Sequence, residues 1–420
     1  MTSTPSSDES LRIAETIQVV APVLRGLLGS ETSLAIVTCD SSDQVRDATS
    51  KTSVAPQVIG MNPVCVVEPA YAPLADQVRQ AVEHYRHEVG QSPQVVVLPG
   101  KVVFGAGDDY ASARANLDLF LEALGAGVGD QAPSPGDQPP TQQPRSSRLS
   151  SKVVVLAGAA QGFGLGLAQG LAEEGAHIVL ADMNIARARS EASLLVNQYG
   201  RGAALAVELN VAIEESQRLA WQEILATYGG VDVFISNAGI TRTGSVTEQR
   251  REDFELVTAV NYTGYFLSVR SIVPIMAAQH EVRPELLFDI IDINSTSGLE
   301  GTRSNFSYLG SQAGAIGLSR SFAMDLIGQG IKINTVCPGN YLDGPLWSDP
   351  ESGFFAQYLR AGRVPGASTI GDVRAFFEAK VPMGRGCLPS DVVRAVLYLV
   401  EQQYETGQSL PVTGGRITMN

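Results

Sequence analysis

Between residues 151 and 420 the chain alternates short, unbroken apolar runs with longer stretches of helical periodicity, and that alternation leaves few folds open. The run Val153–Ala157 reads VVVLA, as expected of a strand covered on both faces. A helical pattern follows from Gly162 to Glu174, then a strand at 177–182 (HIVLAD), a helix near 185–198 and a strand at 203–209. Next come a helix near 213–228, a strand at 231–236 (VDVFIS) and a long helix near 252–278. The series closes with a strand at 287–294, a helix near 306–328, a strand at 331–336, a helix at 390–402 and a strand near 409–412. Parallel strands need crossovers, and helical crossovers cover both faces of the sheet. The prediction is therefore an α/β fold with a doubly wound parallel sheet of the Rossmann type.

Upstream, residues 10–126 read as a smaller α/β unit. Its expected elements are a helix near 10–28, strands near 33–38, 64–68 and 94–98, and helices near 73–89 and 109–124. Residues 127–150 (GVGDQAPSPGDQPPTQQPRSSRLS) hold almost no large apolar side chain, and such a stretch cannot offset its ordering entropy by burial. They read as a linker between the small unit and a domain spanning 151–420.

The 420 residues carry a formal net charge of −14. No basic surplus exists to displace phosphate counterions, which argues against nucleic acid as a partner. Cys39, Cys65, Cys337 and Cys387 show no paired spacing, so neither a disulfide framework nor a metal site is expected. The start MTSTPSSDES lacks the basic and apolar parts of a secretory signal, and no apolar run reaches the length of a membrane span. The expected setting is cytoplasmic, without membrane association.

The turn after the first long-domain strand concentrates glycine: Gly158-Ala159-Ala160-Gln161-Gly162-Phe163-Gly164. Glycines at a strand–helix turn let the backbone approach a pyrophosphate, and the helix N-terminus offers unpaired N–H groups. The spacing Gly-x-x-x-Gly-x-Gly differs from the common dinucleotide fingerprint. Asp182 ends the second strand about twenty residues on, where a carboxylate accepts from adenosine ribose hydroxyls. The carboxylate would repel a 2′-phosphate and no arginine follows it immediately, so NAD is expected over NADP.

These features, with Asn237-Ala238-Gly239 closing the fourth strand and Ser295 thirteen positions before Tyr308, resemble the short-chain dehydrogenase/reductase family. The resemblance implies that Asn210 and Val211 lie near the adenine, where the family usually has Asp-Val. It implies that Ser295 polarises the substrate oxygen, that Tyr308 transfers the proton and that Asn261 supports a proton relay. The family motif is Tyr-x-x-x-Lys, and here Gln312 stands at the lysine position. One helical turn after Tyr308, Gln312 shares its face and can hydrogen-bond ribose hydroxyls. It carries no charge, so Tyr308 lacks a close cation to stabilise its anion. Turnover at neutral pH is expected to be strongly reduced, with cofactor binding partly kept.

Within the family, residues 152–420 resemble the sorbitol-6-phosphate 2-dehydrogenases. The likeness runs through Gly264–Leu267, Ile293–Gly298, Ala379–Cys387 and Thr406–Gly415. It implies a sugar-alcohol phosphate substrate and, by the family's habit, a homotetramer. A phosphate end needs a cation or N–H cluster, and Arg303 and Arg242 are the candidates. Residues 340–386, rich in aromatics, would form the substrate lid. Pro93–Leu124 weakly resembles the end of a class II sugar-phosphate aldolase domain. That enzyme needs a His-x-His zinc site, whereas His84 and His87 sit three apart on a helix, so a non-catalytic remnant or assembly module is expected. Two other readings stay open: a non-catalytic NAD-binding protein or hetero-oligomer partner, and a reductase of another carbonyl, such as a 3-oxoacyl group.

Overall fold

The computed structural model describes residues 7–30, 33–51, 64–67, 72–124, 148–300 and 305–416. In the long domain seven strands form one sheet. They are β5 (Val153–Ala157), β6 (His177–Asp182), β7 (Ala204–Glu208), β8 (Val233–Ser236), β9 (Phe288–Ile293), β10 (Ile331–Pro338) and β11 (Ser409–Val412). Their order is β11-β10-β9-β8-β5-β6-β7, and every pairing is parallel. After β5 the chain winds outward through β6 and β7, then returns to lay β8 on the other side of β5. This reversal opens a crevice at the carboxyl ends of β5 and β8, where ligands of such sheets bind. Six consecutive buried residues in β9 show why the apolar runs do not alternate: helices cover both faces.

Residues 36–107 hold a second sheet. Its strands β1 (Ile36–Asp40), β2 (Val64–Val66), β3 (Val95–Leu98) and β4 (Val102–Gly107) are ordered β1-β4-β3-β2, and only β2 and β3 run parallel. Strand β4 is absent from the sequence reading because Gly105 and Gly107 weaken the strand pattern. A Cβ on Gly105 would lie 2.4 Å from the Ala113 carbonyl, so these glycines admit the helix Tyr110–Ala123.

The two sheets share a core. One cluster of buried apolar side chains includes Val20 and Leu24 of α1 (Ser7–Leu28), Val37 of β1, and Trp221, Ile272 and Phe234 of the long domain. Arg25, fully buried, pins the junction. Its Nε donates to the Ala35 carbonyl at 2.8 Å, and its guanidinium reaches Asp232 at 2.9 Å and Gln279 at 3.3 Å. Burial pushes the Asp232 carboxyl up, but Arg25, Lys152 and the Val153 N–H outweigh it and leave the group below its ordinary value. The expected linker lies outside the described residues as far as 147. Of its last three residues Leu149 is buried, exposed Arg148 forms a two-pronged pair with Glu401 at 2.6 and 2.7 Å, and Ser150 is exposed.

Two further differences position the site. The long helix expected at 252–278 is a helix at Arg251–Thr258, a π-helical turn at Ala259–Thr263 and a helix at Gly264–Val282. The segment expected as a lid carries three short helices, Pro345–Ser348, Phe354–Arg360 and Ile370–Glu378. They pack around Trp347, whose ring centroid lies 4.8 Å from Phe377 and 5.2 Å from Phe354. No described helix is long and apolar enough to cross a membrane.

Candidate functional site

At the end of β5 the glycine turn is built by close approach. Gly158 has φ of 77°, and a Cβ there would lie 2.7 Å from Ala238 Cα. A Cβ on Gly164 would lie 2.1 Å from the Gly158 carbonyl and 2.6 Å from Asn237 Nδ2. Asn237 Nδ2 donates to that same carbonyl at 2.8 Å, so the Asn-Ala-Gly segment braces the turn from β8. The twelve-residue helix that begins at Gly162 has no side-chain cap, and nothing lies within 4 Å of the space a Gly162 Cβ would fill. Its first N–H groups thus remain available, which fits a dinucleotide's pyrophosphate. Phe163 closes the turn by stacking on Tyr341 of the lid, 5.0 Å between centroids. Gln161 accepts from Arg187 at 3.3 Å.

Asp182 sits beside the turn. One of its oxygens accepts from Ala160 N at 2.9 Å and the other from Asn184 N at 2.8 Å. Each carboxylate oxygen has a second lone pair, so ribose hydroxyls can still be held. Asn210 closes a local turn by accepting from Ala212 N at 3.1 Å, and Val211 packs against Gly264. Gly239 stands open before Asn261, with its missing Cβ 3.7 Å from the Asn261 Oδ1.

Tyr308, on the helix Phe306–Leu326, is half-buried, and Gln312 one turn later is buried. Gln312 Nε2 donates to the Tyr308 hydroxyl at 3.2 Å. Burial raises the Tyr308 phenol above its ordinary value. Interactions with Ser295 and Gln312 pull it down less, while Asp292 and Cys337 push it further up. No cation is among the influences that weigh most on it. Ser295 is fixed by Ser297 N donating to its Oγ at 3.1 Å and by its own N–H donating to Asn294 Oδ1 at 2.8 Å. The Asn294 amide then donates to the Gln312 carbonyl at 3.0 Å and to Asp292 at 2.9 Å, tying the serine loop to the tyrosine helix. Burial pushes the Asp292 carboxyl up to about 7, against the Asn294 hydrogen bond.

The π turn carries Asn261 inward. Its amide exchanges hydrogen bonds with both backbone groups of Ile240 at 2.9 Å and donates to Ser311 Oγ at 3.1 Å. Ser311 in turn donates to the Tyr308 carbonyl at 2.7 Å. Asn261 therefore joins the segment after Asn-Ala-Gly to the tyrosine helix.

Of the two arginines expected at a phosphate, Arg303 lies outside the described residues. Arg242 is half-exposed, donates to its neighbour's carbonyl at 2.9 Å and lies 3.7 Å from Asp253. The sequence reading missed Asn294, Ser311, Asp292 and Tyr341. Only the adjacency of Asn294 to Ser295 marks any of them in sequence.

A family model described as short chain dehydrogenase matches residues 152–348. Sorbitol-6-phosphate 2-dehydrogenase of Escherichia coli K12 is 30% identical over 270 residues, 64% of this chain and 99% of that protein. The chain belongs to the short-chain dehydrogenase family. A 3-oxoacyl-[acyl-carrier-protein] reductase of Thermotoga maritima is 28% identical over 274 residues, again 64% of this chain and 99% of the relative. The crystal structure of sorbitol-6-phosphate 2-dehydrogenase from Erwinia amylovora superposes with a TM-score of 0.58 at 32% identity, covering 63% of this chain and all of that one. Members of the short-chain dehydrogenase family are oxidoreductases that typically use NAD or NADP.

Proposed function

We propose that the chain is an NAD-linked dehydrogenase interconverting a sugar-alcohol phosphate and its keto-sugar phosphate, sorbitol 6-phosphate and fructose 6-phosphate. The observation that carries the reaction type is Tyr308 held between Ser295 and Gln312 beside an uncapped glycine turn. The likeness to two sorbitol-6-phosphate 2-dehydrogenases supports the substrate. Asp182, at the end of β6 beside the glycine turn, supports NAD, since a carboxylate there would repel a 2′-phosphate. By the family's habit we propose a homotetramer in the cytoplasm, and for residues 10–126 a non-catalytic assembly role. His84 and His87 are both exposed there, and His84 lies 3.5 Å from Glu88.

Bound NAD supplies the hydride acceptor. Gly158, Gly162 and Gly164 with the N–H groups that follow would hold the pyrophosphate, and Asp182 would hold the adenosine ribose. Ser295 donates to the substrate oxygen, and Tyr308 exchanges a proton with it. The direction of catalysis follows from the state of the phenol. Carbonyl reduction needs neutral Tyr308 as an acid, the form that burial favours. Alcohol oxidation needs the phenolate, which is scarce at neutral pH without a cation. Oxidation should therefore climb about tenfold per pH unit between pH 7 and 10, while reduction stays flat over most of that range.

The test mixes the purified chain with NAD and sorbitol 6-phosphate from pH 7 to 10, follows NADH, and repeats this with Gln312→Lys. Activity rising steeply with pH and increased by lysine is the expected result. Cofactor binding without turnover in either protein would sink the reading and favour the second one, a non-catalytic dinucleotide-binding protein, to which the uncharged Gln312 points. A 3-oxoacyl thioester reduced faster than the sugar phosphate would redirect the substrate.

A further inference from the structure

A cavity of about 360 Å³ lies at the carboxyl ends of β10 and β11, outside the group formed by Asn261, Ser295, Tyr308 and Gln312. Arg385 from the base of the lid, Arg394 from the helix Pro389–Glu401 and Arg416 from the segment after β11 all line it. Its carboxylate is Asp391. Asp391 is engaged by Arg385 through two prongs of 2.6 and 3.0 Å and lies 3.7 Å from Arg394. Arg416 has no carboxylate partner among the described residues. Lys380 stands close enough to Arg416 that, after burial, the arginine's charge holds its amine below the ordinary value. The same amine sits 4.0 Å above the Phe376 ring.

Three arginines thus share the cavity with one carboxylate, and Lys380 stands beside the third of them, in a chain whose net charge is −14. Lys380 and Arg416 repel each other, and that arrangement is costly unless an anion neutralises it. Guanidinium forks from two separate segments suit the oxygens of a phosphate. Val381, Met383 and Val412 supply apolar wall for a carbon body, and the volume falls within the range of small-molecule pockets.

We propose that this cavity binds the phosphate group of a small molecule. The phosphate belongs either to the sugar-phosphate substrate or to a separate phosphorylated ligand, and the chemistry of recognition is the same. The site joins the lid base, the helix Pro389–Glu401 and the C-terminal segment, so occupancy would hold these three together.

The first arm of the test titrates inorganic phosphate into the full chain by calorimetry, with sodium chloride at equal ionic strength as control. Saturable binding is expected, weakened tenfold or more in the double variant Arg394→Gln/Arg416→Gln and unchanged in Arg218→Gln, an exposed arginine elsewhere. Undiminished phosphate affinity in the double variant, or no saturable binding by the parent, overturns the proposal. Circular dichroism and melting temperature establish that the double variant is folded. The second arm compares KM for sorbitol 6-phosphate in parent and double variant. A rise assigns the site to the substrate's phosphate, and an unchanged value with lost phosphate binding assigns it to a separate ligand. The first arm needs no turnover, so failure of the proposed reaction leaves it standing.

Discussion

Tyr308 and Gln312 form a hydrogen-bonded pair on which the proposed reaction's rate would depend. An amide N–H stabilises a phenolate far less than an ammonium, because a full charge is replaced by a dipole. Gln312→Lys should raise oxidation at pH 7 by tenfold or more and move the break in the pH profile downward. An unchanged profile would mean that something other than the tyrosine proton limits the rate. Tyr308→Phe should lower turnover by roughly 10²- to 10⁴-fold while leaving cofactor affinity intact, measured as kcat beside a fluorescence titration with NADH. Asp292 makes a prediction about stability. Its folded value near 7 lies above the ordinary 3.8, so the group's stabilising influence is fully present below pH 3.8 and is lost as pH rises through 7. The slope across that window is roughly 1.4 kcal/mol per pH unit. Asp292→Asn should therefore melt higher than the parent at pH 8, with the gap closing toward pH 5. A gap that widens on acidification would contradict the assignment.

Among elements, α1 and the π turn contribute most beyond the sheet itself. Arg25 brings a charge from α1 into the base of the large sheet, where Asp232 also accepts from Val153 N at 2.7 Å. Removing one partner leaves the other charge buried, which costs more than the pair itself contributes. Arg25→Ala should destabilise by on the order of 3–5 kcal/mol in urea unfolding. A loss below about 1 kcal/mol would show that the junction relaxes to admit water. The π turn explains how Asn261 reaches Ser311: one extra residue in the turn rotates the side chain out of the helical series. Helical periodicity spans this stretch without interruption, which is why the sequence reading extends a single helix through it. At the other end of β10, Lys332 donates to the carbonyls of Leu399 at 2.7 Å and Gln402 at 2.6 Å, closing the helix Pro389–Glu401 from beneath.

For the whole molecule, the shared core predicts joint unfolding. Side chains of α1 and β1 bury the outer faces of the helices Glu214–Tyr228 and Gly264–Val282, and the Tyr110 ring meets Tyr228 at 5.8 Å. Scanning calorimetry should show one cooperative transition for both sheets. Two separated transitions would mean that the small sheet folds on its own terms.

The order of strands and helices in the long domain was legible because parallel strands must be continuous apolar runs and their crossovers must be helices. Gly158, Gly164, Asn237, Asp182, Ser295, Tyr308 and Gln312 were legible because their spacing ties each to the end of a strand or to one helical turn. Strand β4 was not, since its glycines answer to a helix packed against it. The tie from Asn294 to Gln312, the inward turn of Asn261 and the lid stack of Tyr341 on Phe163 were not either, since their partners lie far along the chain or depend on local helix geometry. The same holds for the buried reach of Arg25 to Asp232 across 207 residues. Sequence by itself determined the periodicities, the backbone freedom at the glycine turn and the absence of a lysine beside the tyrosine. Tertiary structure alone decided which charges are buried, which repel and which carbonyl each amide meets. Those energies depend on distance and solvent exclusion, and neither is written in residue order.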